Sequence, residues 1–392
     1  MKILAVETSC DETGVALAEF SGRAKTPRVL VRSHLVSSQA KLHAKFGGVV
    51  PNLAKREHQK NLVPILIKVL AQAGSKTVKR KAQNPKPQPK TRKIEQILER
   101  EPELLKHFKK SVLPLTPPDI DAIAVTYGPG LAPALWVGIN FARALGCLWN
   151  KPLIPVNHME GHLYSALLQK SGIEILKFNV ASLKFPALAL LVSGGHTELV
   201  LMRGHGKFKI IGETRDDAAG EAFDKVARIL GLEYPGGPHI SRLAQKGDPR
   251  KYPLPSPMIN TKDYDFSFSG LKTAVLYLMR DLYSTKYSTK IKADMAASFE
   301  KAAVDVLVKK TVRAAKEYQA KSILLGGGVA ASQALRAGLQ KEIKNQIPGT
   351  KYLIPDTGLT GDNALMIAAA AYFSKKKMAW SETLQADANV KL

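Results

Sequence analysis

The sequence has few cysteines and no long apolar run. Cys10 and Cys147 are the only cysteines in 392 residues, too few for a disulfide framework and typical of a reducing compartment. The sequence has no run of eighteen apolar residues that would predict a membrane span. Residues 2–6 have the pattern of a strand, whereas a secretory leader would begin with basic residues followed by an apolar stretch. We therefore expect a cytoplasmic protein. No Cys–His signature surrounds Cys10, so packing in a tight turn is favoured over nucleophilic catalysis.

Acidic residues are also scarce. The chain has 33 Asp and Glu against 58 Lys and Arg, a formal net charge of +25, which favours a polyanionic partner and nucleic acid first. Much of the excess lies in a basic, proline-rich insertion at about 74–113. Its composition predicts an extended, solvated chain that builds no core, followed by a short helix from about Ile94 to Lys110. The insertion either contacts RNA as an auxiliary arm or has no specific role.

Three common site motifs are absent. Neither Gly-x-x-x-x-Gly-Lys-Ser/Thr nor a Gly-x-Gly-x-x-Gly between a strand and a helix occurs, which excludes P-loop and Rossmann sites. The zinc-protease pattern His-Glu-x-x-His fails because Met159 follows His158, where the general base would stand. Glu160 would point about 200° around a helix from His158. Peptide hydrolysis is therefore disfavoured.

A pair of histidines four residues apart is present, as His158 and His162. On a helix, positions i and i+4 share one face, so both imidazoles can reach one divalent ion. Asp362, next to Asn363 at the predicted start of an alanine-rich helix, offers a carboxylate to complete the site. The alternative is a pair of ordinary helix-face histidines that make hydrogen bonds.

The chain contains a weak internal duplication. Each copy has a strand, a polar turn and a second strand, and later a third strand before a glycine-rich loop and a helix. The predicted strands are 3–6, 14–18 and 122–126 in the first copy, and 187–192, 198–202 and 322–325 in the second. A chain of 392 residues, 45% hydrophobic, can fill two cores of similar size. We therefore expect two facing units with a cleft between them.

The polar turns have the right chemistry for phosphate, because Ser, Thr and Gly let backbone N–H groups converge on an anion. Taken alone, Ser193-Gly194-Gly195 is an ordinary hairpin turn. Taken together with the glycine-rich segments at 326–328 and 234–238, it suggests an adenine nucleotide between the two halves.

Five segments, in unchanged order, resemble the TsaD (Gcp) family. They are ETSCDET at 7–13, HMEGH at 158–162, LVSGGHT at 191–197, DAAGEAFDK at 217–225 and DFSFSGLKT at 265–273. The resemblance covers nearly the whole chain apart from the insertion. It implies an α/β, duplicated actin-like, Hsp70-like and sugar-kinase-like fold, with two lobes around a nucleotide cleft. It also implies transfer of a threonylcarbamoyl group from threonylcarbamoyl-AMP to N6 of the adenosine 3′ of the anticodon, in tRNAs that read codons beginning with A. AMP is released.

The same resemblance implies site residues. The metal ligands are His158, His162 and Asp362, and the ion is usually described as iron, with zinc as the alternative. The implied adenylate-binding positions are Leu191, Val192, Ser193, Gly194, Gly195, Asp224, Gly237, Ser241 and Ser332. Ser241 stands where many relatives carry aspartate, and Ser332 where asparagine is expected. A serine hydroxyl still forms hydrogen bonds, but it is shorter than an amide and uncharged.

The implied chemistry needs a carboxylate, because the exocyclic amine of adenine loses a proton as it attacks the carbamoyl carbon. Asp11 is predicted to act as the base or to orient the amine, with Glu12 shaping the site. Their alternative role is capping a tight turn. For Phe266 and Phe268, the alternatives are stacking on a base and anchoring a small core. The segment from 41 through Arg56, Glu57 and His58 is either structural or tRNA-facing.

We predict a first lobe of residues 1–150, with the C-terminal helix region of about 356–392 packed back on it, and a second lobe of residues 151–355. The resemblance implies a TsaB-like partner without the metal site, a TsaE-like small ATPase and a separate synthase for the donor. Two other functions stay open: a small-molecule kinase of the same superfold, and a non-catalytic tRNA-binding subunit.

Overall fold

The computed structural model describes residues 1–23, 26–74, 89–170, 176–282, 288–374 and 376–392. The strands, in chain order, are β1 (Lys2–Glu7), β2 (Glu12–Arg23), β3 (Thr26–Ser38), β4 (Ala122–Gly128), β5 (Leu153–Asn157), β6 (Leu168–Lys170), β7 (Leu176–Phe178), β8 (Ala187–Val192), β9 (Thr197–Gly204), β10 (Lys207–Glu213), β11 (Ser322–Gly326) and β12 (Lys351–Leu353). The helices are α1 (Ala40–Ala44), α2 (Pro51–Gln72), α3 (Pro89–Ile97), α4 (Pro102–Ser111), α5 (Ala132–Trp149), α6 (His158–Ser165), α7 (Ala219–Ile229), α8 (Gly236–Ala244), α9 (Ser269–Asp281), α10 (Thr289–Glu317), α11 (Gln333–Gln346) and α12 (Ala364–Phe373).

The first sheet has the strand order β3-β2-β1-β4-β5. β1 pairs with β2 in an antiparallel hairpin and with β4 in parallel, with Ile3 opposite Ala122. β4 then pairs in parallel with β5. Residues 3–6 of β1 are fully buried, as expected of a continuous apolar strand covered on both faces of a sheet.

The second sheet repeats this topology in the order β10-β9-β8-β11-β12. β8 and β9 form an antiparallel hairpin, and β8, β11 and β12 are parallel. Each of the six predicted strands lies within an observed one, and 187–192 coincides with β8. The predicted duplication and the α/β fold are therefore confirmed.

The chain divides into two compact units. The first comprises Met1–Leu42, Val49–Val180 and Asp362–Leu392, and the second His43–Gly48 and Ala181–Gly361. The main boundary therefore falls about thirty residues later than the predicted division at 150/151. The reason is that β5 extends the first sheet beside β4, and α6 packs against α12 in the same unit.

The basic insertion differs from its prediction. The expected extended stretch, which carries Lys76, lies largely at 75–88, outside the described residues. The single helix expected from Ile94 to Lys110 is two helices, α3 and α4, because Pro102 begins a new helix at its first turn. The expectation that the insertion builds no core is wrong for the part from 89 onward. Its apolar side chains join the core of the first unit, namely Ile94, Leu98, Leu104 and Phe108.

A close approach between α5 and the β1–β2 turn depends on Gly138. A Cβ at this position would lie 2.2 Å from Thr8 Oγ1. Thr8 is 1% exposed and donates a hydrogen bond to the Ala134 carbonyl, so it has no free space to move into. We expect Gly138→Ala to lower the free energy of unfolding by about 1–3 kcal/mol, measured by urea denaturation. Gly270→Ala is the control, because Gly270 has open space around it and alanine favours its helix. Equal stability of the two variants would contradict the steric argument.

Candidate functional site

Helix α6 begins at the first of the two histidines. The Asn157 side chain caps it, accepting hydrogen bonds from the backbone N–H groups of Met159 at 2.8 Å and Glu160 at 3.4 Å. His158 and His162 therefore lie one turn apart on one face, with ring centroids separated by 4.6 Å. Both side chains are buried. The predicted helix is confirmed.

Asp362 reaches the histidines from the start of α12. Asn363 caps this helix by accepting a hydrogen bond from Met366 N at 3.0 Å, which fixes Asp362 immediately before it. Asp362 Oδ1 lies 3.1 Å from His162 Nε2 and 3.4 Å from His158 Nε2. The structure thus brings the two histidines together with an aspartate that lies two hundred positions after His162 in the sequence.

Glycine at position 161 permits the helix contact behind this cluster. A Cβ at Gly161 would lie 2.9 Å from Ile367 Cδ1 and 3.1 Å from Met366 Cγ, so α6 can lie close to α12 only because this side chain is missing. The close packing brings Asp362 to the two imidazoles.

The cluster of His158, His162 and Asp362 fits a metal ion. Each residue offers one ligand atom, and these atoms lie within 4.8 Å of one another. Nδ1 of His162 is buried and has no hydrogen-bond partner among the described residues, while Nε2 faces only the Asp362 carboxylate. An unsatisfied buried polar atom is costly, and a cation would relieve that cost. Two imidazoles and a carboxylate are a donor set that suits iron or zinc.

The electrostatics of the cluster favour a cation. Burial lowers the pKa of His158, but the carboxylates of Asp362 and Glu7 outweigh it and raise the pKa to about 10. Burial raises the pKa of Asp362, but the two imidazoles outweigh it and hold the pKa well below its usual range. A site that attracts a proton this strongly also attracts a metal ion.

Glu7 contacts the cluster directly, and the sequence interpretation missed it. Its Oε2 lies 3.2 Å from His158 Nδ1 and accepts a hydrogen bond from Thr126 at 2.5 Å. Ser9 Oγ lies 3.1 Å from the same His158 nitrogen. With Nδ1 held in this way, Nε2 of His158 is directed at Asp362. The one available signal was a carboxylate at the end of a fully apolar strand.

Replacement of Glu7 by glutamine should weaken metal binding by about 10- to 100-fold, because the amide cannot supply the negative charge that orients and polarises the His158 ring. Titration against a competing chelator measures the affinity. Glu160→Gln is the matched control: it makes the same change on α6, outside the cluster. Equal affinities in the two variants would show that Glu7 does not support the site.

The turn that carries Asp11 and Glu12 belongs to the same unit as the cluster of His158, His162 and Asp362. Asp11 is 8% exposed, and Glu12 accepts a hydrogen bond from Ser38 Oγ at 3.0 Å. Burial, with the nearby charges of Asp362 and Asp11, raises the pKa of Glu12 to about 9. Burial and the same acidic neighbours raise the pKa of Cys10, so its thiol stays protonated, in agreement with a packing role.

His58 holds this turn from α2. Its Nδ1 lies 2.8 Å from Thr13 Oγ1 and its Nε2 lies 3.0 Å from the Cys10 carbonyl. The side chain is fully buried. Of the two alternatives for the segment through Arg56, Glu57 and His58, the structural one is therefore correct for His58.

Glycines bring three segments of the second unit together. Ser193 N donates to His196 O at 2.8 Å, so residues 193–196 form a hairpin turn between β8 and β9. A Cβ at Gly220 would lie 2.5 Å from Ser193 O, and one at Gly327 would lie 2.3 Å from Val192 O. Gly194 has open space in place of a side chain, as does Gly195. The backbone is therefore closely packed at the end of β8, whereas the turn is open at Gly194 and Gly195. Leu191 is buried near the end of the same strand.

The remaining predicted binding residues lie on helices of the second unit. Asp224 Oδ1 accepts a hydrogen bond from Gly236 N at 2.7 Å, which fixes the start of α8, and Gly237 next to it has open space. Ser241 donates a hydrogen bond to the Glu300 carboxylate. Glu300 therefore places a carboxylate beside the position where aspartate is expected.

Ser332 caps α11 by accepting a hydrogen bond from Leu335 N at 3.3 Å. Serine and asparagine are about equally good at this position of a helix, so the replacement costs little local stability.

The described contacts of the segments 217–225 and 265–273 are largely structural. Asp217 binds the ammonium groups of Lys225 at 2.7 Å and Lys272 at 3.0 Å. Phe266 and Phe268 are fully buried and stack with their rings 6.3 Å apart, so the core interpretation is confirmed. In the part of the chain that the structure describes, no helix is long and apolar enough to cross a membrane.

Comparison with known proteins gives strong matches over most of the chain. The family model described as TsaD: tRNA N6-adenosine threonylcarbamoyltransferase matches residues 30–80 and 101–369. A protein named tRNA N6-adenosine threonylcarbamoyltransferase from Geobacillus thermodenitrificans is 44% identical over 94% of this chain and 90% of its own length. A protein of the same name from Bacillus subtilis is 43% identical over 96% of this chain and 91% of its own length. Another, from Ralstonia pickettii, is 44% identical over 94% of this chain and 90% of its own length.

Proposed function

Because this chain belongs to the TsaD family of tRNA N6-adenosine threonylcarbamoyltransferases, we propose that its two sets of site residues perform threonylcarbamoyl transfer to tRNA. The protein is a transferase that modifies tRNA. The donor is threonylcarbamoyl-AMP, and the acceptor is N6 of the adenosine 3′ of the anticodon. A kinase or a non-catalytic binding subunit is not favoured, since relatives at 43–44% identity carry the transferase name.

The single observation that carries the site proposal is the convergence of His158, His162 and Asp362, whose ligand atoms lie within 4.8 Å of one another, with both imidazoles buried. These three residues would hold one divalent ion, with iron favoured and zinc as the alternative. When bound, the ion supplies Lewis-acid stabilisation of negative charge on oxygen. Glu7 keeps His158 oriented towards the ion.

The donor's adenylate would occupy the second unit. Backbone N–H groups of residues 193–195 suit its phosphate, since Gly194 and Gly195 leave the approach open. Leu191 and Val192 position this turn at the end of β8. The ribose and adenine would meet the segments that carry the other four positions, Asp224, Gly237, Ser241 and Ser332.

In the transfer step, the N6 lone pair attacks the carbamoyl carbon, the bond from that carbon to the phosphate oxygen breaks, and AMP leaves. The amine proton passes to Asp11, whose carboxylate lies in a turn held by His58. Glu12 shapes the surroundings of Asp11. Because the donor is an activated mixed anhydride, no ATP is consumed in this step. The chain's contribution is therefore positioning, charge stabilisation and proton transfer.

The proposal extends to partners. A TsaB-like protein without the metal site and a TsaE-like ATPase would work with this chain in the cytoplasm, and a separate synthase would supply the donor.

The decisive experiment supplies threonylcarbamoyl-AMP, unmodified tRNA, ferrous ion and candidate partners, and follows nucleosides by mass spectrometry. We expect N6-threonylcarbamoyladenosine and an equal amount of AMP. Chelator-treated protein is the control and should lose the product until the ion is restored. Product formation that persists in metal-free protein would reject a catalytic role of the metal. Tight tRNA binding without any product would reject the proposed transferase activity.

A further inference from the structure

A pocket of ≈ 550 Å³ lies in the first unit, lined by residues of α3 and α5 and by Trp380. Sites for small ligands commonly have volumes of about 300–1,000 Å³. Helix α3 falls in residues 81–100, which the family match leaves out. The pocket is therefore built in part by residues that the family pattern does not include, and the transfer step proposed above does not use it.

Two of the three tryptophans of the chain, Trp136 and Trp380, line the pocket. Trp380 approaches α5 closely, since a Cβ at Gly146 would lie 2.7 Å from Trp380 Cβ. Lys93 Nζ lies 5.5 Å from the centre of the Trp380 ring. Aromatic faces next to cations are the usual stacking platforms for nucleic-acid bases.

Four basic side chains also line the pocket, namely Lys55, Lys93, Arg100 and Arg143. They come from α2, α3, the α3–α4 connection and α5, so they surround the space from several directions. Arg143 Nε is buried and has no hydrogen-bond partner within the described ranges. The basic side chains that line the cavity give it a positive charge that suits the phosphates of a nucleotide.

The two buried polar residues of the lining are Glu101, 1% exposed, and Asn140, 8% exposed. Asn140 Nδ2 donates to Glu101 Oε2 at 3.2 Å. Burial raises the pKa of Glu101, while Asn140 and the nearby Lys55 and Arg100 act in the opposite direction. A carboxylate inside a cationic rim can accept hydrogen bonds from the amino group of a base. An acidic peptide would instead meet a like charge there.

We propose that this pocket binds an unpaired nucleotide of the substrate tRNA, with the base against Trp136 and Trp380 and the phosphates on the basic rim. The proposal rests on tRNA being the substrate, and it assigns the insertion a specific contact with it. The chain's net charge of +25 supports a polyanionic occupant.

The test compares two charge-reversal double variants by tRNA binding across a range of salt concentrations. Lys93→Glu with Arg100→Glu changes the exposed rim, and Lys341→Glu with Lys344→Glu makes the same change on the exposed face of α11. We expect the rim variant to bind tRNA at least about tenfold more weakly than the control variant. The slope of log K against log salt concentration should become shallower by about 1.4, because two contacts with single-strand phosphates are lost.

Tryptophan fluorescence gives a second measurement. Unmodified tRNA should quench the emission of the wild-type protein, and Trp380→Phe should reduce that quenching. At saturating tRNA the rim variant should keep a near wild-type transfer rate with a raised KM, because the pocket holds no reacting group.

Equal tRNA affinity and salt dependence in the rim and control variants would overturn the proposal. Quenching by free AMP or GMP but not by tRNA would also overturn it, by assigning the pocket to free nucleotides. Failure of the wild-type protein to transfer any threonylcarbamoyl group would count against the proposed function, while the binding comparison would still decide the role of the pocket.

Discussion

We expect leucine at position 162 to abolish metal binding and to lower the transfer rate by at least about a thousandfold, while the metal-free protein keeps its stability. His162 is fully buried, Nδ1 has no hydrogen-bond partner among the described residues, and Nε2 faces the Asp362 carboxylate at 3.1 Å. An apolar side chain of similar size removes the unpartnered Nδ1 from the interior but also the contact of Nε2 with Asp362, and because these two effects oppose each other the free energy of unfolding should change little. Loss of function without loss of stability would identify His162 as a ligand.

The matched control is His34→Leu. His34 also has a buried ring nitrogen without a partner in the described part of the chain, but it lies on β3, outside the metal cluster. Burial lowers its pKa to about 4, so it is neutral at pH 7 like a metal-bound histidine. Metal content by mass spectrometry, urea unfolding and transfer rate should separate the two variants. A His162→Leu protein that retains one ion per chain would refute the proposed ligand set.

Asparagine at position 11 should lower the rate constant of transfer by about 10²- to 10⁴-fold, the usual contribution of a positioned general base. The amide has nearly the size of the carboxylate, so the turn held by His58 should keep its shape. Metal content and tRNA affinity should therefore stay at wild-type values. Single-turnover measurements with saturating donor and tRNA isolate the chemical step.

Asp119→Asn is the control for this substitution, because Asp119 is an exposed residue of the same unit that pairs with Lys2 at the surface. If Asp11→Asn turns over near the wild-type rate but unfolds at lower urea concentration, Asp11 caps the turn and does not act on the amine. If the transfer rate falls and stability does not, the catalytic role stands.

The duplicated fold could be predicted because its signals are local. Strands such as β1 and β8 are continuous apolar runs, and each is followed by a short polar turn and a second apolar strand. The His158 and His162 pair could be predicted because helix periodicity alone places the two rings on one face. Asp362 could be proposed as their partner because it lies at the start of an alanine-rich helix, and the family resemblance then supplied the nucleotide-binding positions.

The missed features depend on contacts between distant parts of the chain. Glu7 contacts Thr126 and His158, more than a hundred residues away, and its position at the end of an apolar strand does not by itself predict these contacts. The unit boundary shifted because β5 adds to a sheet whose other strands precede it by at least twenty-five residues. The core contribution of α3 and α4 was missed because the surrounding lysines and prolines dominated the composition, while Ile94 and Phe108 lie on the faces turned inward.

The first unit is discontinuous, and its last piece, Asp362–Leu392, supplies both a helix of its core and one ligand of the cluster. During translation, the two histidines leave the ribosome about two hundred residues before Asp362 does. A nascent chain therefore cannot assemble the proposed ion site before residue 362 has emerged. If the proposed ligand set is right, chains that terminate before Asp362 should emerge without the ion, whereas chains that extend beyond it can load one.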